Sequence, residues 1–288
     1  MPRGLRYVSL AWPLMAVSRL NVPILLGKGK GVFMAIRVLA AALFMTAGLV
    51  MTAGLAGAWA ESAPGIIGKD DRKLLDPKTW PWLAVGRVNH TSGGFCTGTL
   101  VAPDRVLTAR HCLVNHRTGR RVEPDAVHFL AGYRRGEWQS HGVGRAFLLP
   151  DSHADASPTL ADDWVLVILE TPLDVKPVPV IAMSPGQATG ARVARAGYAR
   201  NRPHLLSLHD GCVILGQDDN VLMHDCDATY GDSGSPLLLD SDEGAFIVGI
   251  TTGTAKLKGD DIGLAIDSRA FVDWLDRPAP LLPPVTKE

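Results

Sequence analysis

Three short stretches of the 288-residue chain carry side chains whose types could do chemistry together. Leu107-Thr108-Ala109-Arg110-His111-Cys112 sets a histidine just beyond an apolar run, and Asp163-Trp164-Val165-Leu166-Val167 sets an acid at the head of another. Gly231-Asp232-Ser233-Gly234-Ser235-Pro236 holds a serine in a glycine-flanked turn. A serine hydroxyl is a poor nucleophile near neutral pH unless an imidazole takes its proton. The imidazole needs a carboxylate to fix its tautomer and stabilise the imidazolium. Glycines beside the serine let backbone N–H groups converge on a developing oxyanion. Singly, each stretch has a bland explanation: a structural histidine, a solvated acid, an ordinary tight turn. In the order His, Asp, Ser they supply every part of an acyl-transfer site that uses neither metal nor organic cofactor. The alternative hydrolase pattern, Gly-x-Ser-x-Gly with the order Ser, Asp, His, is not met, because Ser235 stands where the second glycine would be.

The elements that must position these residues are short, β-branched apolar runs separated by turn residues. They include Trp82–Val88, Phe95–Val101, Arg105–Thr108, Ala126–Ala131, Trp164–Leu169, Pro179–Ala182, Ala191–Ala196, Cys212–Leu215, Val221–His224, Pro236–Leu239, Ala245–Thr251 and Asp261–Ile266. Many short strands at this spacing predict an all-β barrel or sandwich. A turn at Ala109–Val114 and a terminal helix over Ser268–Leu275, with Ser268 as its cap, are the helical exceptions. Asp218–Asn220 reads as the turn of a hairpin.

Charge and targeting signals narrow the setting. Residues 1–60 hold six basic side chains and no acid, which leaves 23 basic against 29 acidic residues in 61–288. That acidic body lacks the basic footprint of a nucleic-acid binder. Val38 to Ala60 is uncharged and apolar, follows Arg37 and ends in Ala58-Trp59-Ala60, the form of a cleaved signal peptide. It predicts a secreted or periplasmic protein, with a retained membrane anchor as the competing reading. Met34 opens a complete signal peptide, so 34–60 is read as that peptide and 1–33 as a mis-annotated extension. Residues 61–65 then form a short propeptide, 66–276 the body with a junction near 170–185, and 277–288 a Pro-rich tail. Four cysteines outside the cytosol suggest two disulfides, and three pairings are possible. None sits in a CxxC unit, which argues against a zinc cage.

With these stretches in place the chain resembles the chymotrypsin-like (trypsin-like) serine proteases. Phe95–Val101 followed by Leu107–Cys112 looks like the family's first-barrel signature, and Phe271–Leu275 like its closing helix. Ile67–Arg72, Trp80–Val88, Cys226-Asp227 and Val248–Thr251 are similar to the bacterial glutamyl-endopeptidase branch. The resemblance implies two six-stranded antiparallel β-barrels with a short C-terminal helix. It also implies a Cys96–Cys112 disulfide, with Cys212–Cys226 as the remaining pair. Ser233 becomes the nucleophile, His111 the base and then acid, and Asp163 the orienting carboxylate, with Asp162 as alternative. The N–H groups of Gly231 and Ser233 form the oxyanion hole. Asp227 falls where trypsin-like members place a pocket-floor acid for Arg or Lys, near Thr251, Gly253 and Gly263. Glutamate-specific members carry a histidine where this chain has Thr251. Asp232 matches the acid that pairs with a freed amino terminus in zymogens, and Ile66 could supply one.

The expectation is therefore a monomeric serine endopeptidase acting on protein or peptide substrates, touching membrane only through an uncleaved signal segment. A catalytically silent binding protein on the same fold is the alternative from another class.

Overall fold

The computed structural model describes residues 64–150 and 159–280. The expected extension, signal peptide, residues 61–63 of the propeptide and residues 281–288 of the tail lie outside the described residues. Strand β1 (Lys73–Leu75) precedes a first closed barrel of six antiparallel strands. These are β2 (Val85–His90), β3 (Phe95–Ala102), β4 (Arg105–Thr108), β5 (Val127–Ala131), β6 (Ser140–Leu148) and β7 (Val165–Leu169), in the spatial order β2-β3-β4-β7-β6-β5. The second six are β8 (Arg192–Gly197), β9 (Leu206–Asp218), β10 (Val221–His224), β11 (Pro236–Ser241), β12 (Gly244–Leu257) and β13 (Asp260–Asp267). They run β9-β10-β13-β12-β11-β8, and a further β8–β9 pairing closes this barrel too, while β1 adds outside β9. Two six-stranded barrels are thus the architecture.

Local sequence explains most of these elements. Every residue of β7, Val-Leu-Val-Ile-Leu, is buried, as expected of a strand walled on both sides. The β9–β10 hairpin turns on Asp219 and Asn220, with Asp219 at φ 47°, a left-handed conformation that Asp tolerates. Pro179–Ala182 does not form a strand; it contributes one parallel bridge, Val180 to Ile247. The C-terminal helix is two short 3₁₀ turns, Ser268–Ala270 and Val272–Trp274. Its cap is Asp267, which accepts from the Arg269 N–H, while the Ser268 hydroxyl donates instead to the Ile181 carbonyl.

This terminal segment packs on the first barrel. Trp164 is fully buried, with the rings of Trp274 and Phe271 at 5.3 and 5.9 Å. Aromatic pairs of this kind add about 0.5–1.5 kcal/mol beyond area burial. The clamp matters for chemistry because Trp164 directly follows Asp163.

The second barrel encloses His224. Its ring fills the space that a side chain at Gly263 would need, its Nδ1 accepts from the Cys226 N–H at 3.1 Å, and its Nε2 has no partner among the described residues. Burial, assisted by the charges of Arg195 and His209, pushes its pKa down to about 3 from the usual 6.5. The folded protein therefore refuses a proton that the unfolded chain takes up below pH 6.5. Stability is expected to fall as pH drops from about 6.5 towards 4.5, with this group contributing about 1.4 kcal/mol per pH unit. Urea unfolding across that range checks it. His224→Asn, which keeps an acceptor for Cys226, should flatten most of the slope, and an unchanged slope would contradict the assignment.

Candidate active site

The three chemical stretches meet where the barrels face each other. His111 lies on the 3₁₀ turn Arg110–Leu113 that leaves β4, and Asp163 ends the turn leading into β7. Because β4 and β7 pair from Thr108↔Val165 to Arg105↔Ile168, the residues beyond their ends are brought side by side. The His111 Nδ1 lies 2.7 Å from Asp163 Oδ2, and its backbone N–H donates to Asp163 Oδ1 at 2.9 Å. Asp162 is turned away and accepts from the Thr159 hydroxyl. A disulfide, Cys96–Cys112, ties the His111 turn to β3, and Cys212–Cys226 braces β9 against the segment entering the serine turn.

Thr252, which the sequence reading passed over, also donates its hydroxyl to Asp163 Oδ2. Its place on β12 means that the second barrel helps to hold the first barrel's acid. The only signal in the sequence was its position next to Thr251, and nothing local distinguishes it from an ordinary strand threonine.

The serine turn is built around two glycines. Gly231 sits at φ +97° with the Tyr198 carbonyl 2.6 Å from where a Cβ would be, and Gly234 at φ +80° with the Thr97 carbonyl at 2.2 Å. No other residue fits either position without moving backbone. Thr97 stitches the turn to β3: its N–H donates to the Ser233 carbonyl, and its hydroxyl donates to that of Gly231. The N–H groups of Asp232, Gly234 and Ser235 donate to Thr229, Thr251 and Asp232. Those of Gly231 and Ser233 have no acceptor among the described residues. Two unspent donors flanking a serine are what a developing oxyanion requires.

Ser233 and His111 line one cleft of about 360 Å³. Thr251, Thr252 and Gly253 form part of its wall, and none of its lining residues is acidic. Of the residues expected around a specificity pocket, Thr251 and Gly253 line the cleft, whereas Gly263 lies under the His224 ring and is not among the lining residues. Asp227 must also be reassigned. It is fully buried outside the cleft, and its two oxygens accept the N–H groups of Ile67 and Asp71, both at 2.8 Å. Burial alone would raise its pKa, but His209 and these two N–H groups outweigh it and hold the carboxyl below its ordinary value. A carboxylate so occupied anchors the amino-terminal segment and is not placed to meet a substrate Arg or Lys.

Asp232 is also occupied. Arg195, wholly buried, donates to its Oδ1 at 2.6 Å, the Thr229 N–H donates to Oδ2, and the Arg72 guanidinium stands at 3.5 Å. The expectation that Asp232 awaits the amino group of Ile66 is corrected accordingly: internal arginines already neutralise it. Arg72 in turn pairs with Asp70, whose pKa falls to about 2 chiefly through that hydrogen bond, and Arg202 joins the same carboxylate. Asp71, His209 and Asp227 lie close enough to share an ion, but both Asp227 oxygens already accept N–H groups.

The fold has counterparts among known proteins. The family model described as Trypsin matches residues 72–275. A solved structure of a Glu endopeptidase in complex with MPD is similar, with a TM-score of 0.63 and 20% identity over 73% of this chain and 97% of that one. At that identity the likeness speaks for the fold, while the family match spans most of the chain. It is therefore a serine endopeptidase of the chymotrypsin-like superfamily, and the chain belongs to the trypsin family.

Proposed function

We propose that this chain hydrolyses peptide bonds through Ser233, His111 and Asp163. The observation that carries the reading is the 2.7 Å His111–Asp163 contact in the cleft that also holds Ser233. His111 Nε2 takes the Ser233 proton as Oγ adds to the scissile carbonyl carbon, and the carbonyl electrons move onto oxygen beside the N–H groups of Gly231 and Ser233. The imidazolium, stabilised by Asp163, returns the proton to the departing amine as the C–N bond breaks. Water, deprotonated by His111, then releases the acid product and restores the serine. Each step is proton-balanced within the triad.

Export through a cleaved signal segment completes the proposal, and two disulfides support an oxidising destination. The choice of residue before the scissile bond belongs to the wall made by Thr251–Gly253, where no carboxylate favours a basic side chain.

A fluorophosphonate probe on residues 61–288 tests the reading, because it labels only an activated serine. Labelling at Ser233, lost in Ser233→Ala and accompanied by Ser233-dependent cleavage of a mixed peptide library, is the expected result. A folded chain that takes no label would instead be a silent binding protein.

A further inference from the structure

We propose that the loop of residues 114–121, together with His90 and Arg200, is a subsite for acidic residues on the leaving-group side of the scissile bond. The inference rests on the serine-protease reading above. The loop follows His111 by three residues and is stiffly built. Val114 and Arg121 form an antiparallel bridge, the Asn115 N–H donates to the Arg120 carbonyl, and the Thr118 and Gly119 N–H groups donate back to Asn115. The Arg117 N–H also donates to the Asn115 side chain at 2.9 Å.

This frame presents His116, Arg117, Arg120 and Arg121 to solvent, and no acid occurs from Arg105 through Val122. Arg117 and Arg120 have no ion-pair partner among the described residues, although residues 61–288 hold more acids than bases. Surfaces of such chains ordinarily intersperse both signs, so an unpaired cluster points to an anionic partner. Three observations join it to the cleft. His116 and His90 line the same cavity as Ser233 and His111, and so does Arg200. The Arg200 guanidinium lies 5.6 Å from the centre of the Tyr230 ring, and the Arg200 backbone N–H donates to the Tyr230 carbonyl. The ring contact holds this exposed charge near the serine turn.

The chemistry assigns the side. His111 gives its proton to the departing amine, so the chain that follows the scissile bond leaves past His111 and over this loop. The acyl portion lies against the opposite wall, Thr251–Gly253. An acidic residue in the first few positions after the bond would meet the charges of Arg200, Arg117 and Arg120. Exposed pairs are individually weak, so two or three of them should favour such substrates about three- to tenfold in kcat/KM. The preference should shrink in strong salt, as screening shortens to roughly 3 Å at 1 M.

The test uses peptides identical before the cut and carrying Asp, Ala or Lys at the positions after it. The wild type should prefer the acidic series, and Arg117→Glu/Arg120→Glu should abolish or invert that order while a small chromogenic amide with no residues after the bond is cleaved as before. Anisotropy of the labelled peptides on the Ser233→Ala protein reads the same preference in binding, so a failure of the triad reading is told apart from a failure of the subsite. Equal rates and equal affinities for the three series would overturn the proposal. So would a loss in the double variant that falls on all substrates alike. A tight, salt-resistant complex with a sulfated polysaccharide, beside a flat peptide profile, would also overturn it by giving the patch to a polyanion.

Discussion

Asp163→Asn is expected to lower kcat about 10,000-fold while leaving the fold intact. In the native protein Asp163 receives three donors: the His111 ring, the His111 backbone N–H and the Thr252 hydroxyl. An amide keeps the shape but offers an acceptor on one side and an N–H₂ group on the other. If its oxygen keeps the backbone N–H, the amide donates towards His111 Nδ1, so that nitrogen must become the acceptor. The proton then moves to Nε2, where the base is needed. The variant should still unfold near the wild-type temperature, because the carboxylate is partly solvated and Trp164 keeps its clamp. Kinetics with a chromogenic ester, run beside thermal unfolding, separate the two effects. A modest loss of rate would mean that His111 is oriented by something other than Asp163.

Arg195→Met is expected to be the most disruptive single change away from the triad. It strips the Asp232 carboxylate of its closest cation in a site where both partners are buried. Removing one member of a buried pair typically costs about 3–5 kcal/mol, because the other is left uncompensated. Asp232 precedes Ser233, and its Oδ2 also accepts the Thr229 N–H, so relaxation here would displace the neighbouring N–H groups of Gly231 and Ser233. The expected result is a large drop in unfolding midpoint together with loss of probe labelling. Arg195→Met/Asp232→Asn should recover much of the stability, since neither charge then stays buried alone. If the single variant were as stable as wild type, Arg72 would be holding Asp232 unaided. The same network predicts that chains starting at Glu61 and at Ile66 turn over equally fast.

Residues with strong local preferences made much of this protein legible early. The glycine-flanked serine, the acid ahead of a buried run and the histidine after an apolar strand each announce a backbone geometry, and their chain order announces a mechanism. The strands with branched, alternating or wholly apolar faces were equally plain. Strand β6 was not, because Gly142 and Gly144 interrupt its pattern. Those glycines stand where Leu169 and the Pro124 carbonyl press against the strand, a fact of packing between distant segments. Strand β1 hides for a different cause: it is three residues long and largely exposed, and only its pairing with Leu206–Leu208 makes it a strand.

The sequence by itself thus determined the all-β class and singled out the candidate reacting residues, because backbone propensity and functional-group chemistry are local properties. The choice of two barrels over a sandwich came from the family resemblance and is borne out by the strand order. The tertiary structure alone decided the partners of the buried charges. Asp227 and Asp232 look alike on paper, each an acid shortly before the serine. One proves to anchor Ile67 and Asp71 and the other to neutralise Arg195. Thr252 became part of the site only because the second barrel brings β12 against an acid from the first. The reason is physical: what a buried carboxylate does depends on which donor lies within 3 Å, and that is set by segments some 40 to 160 residues away in sequence.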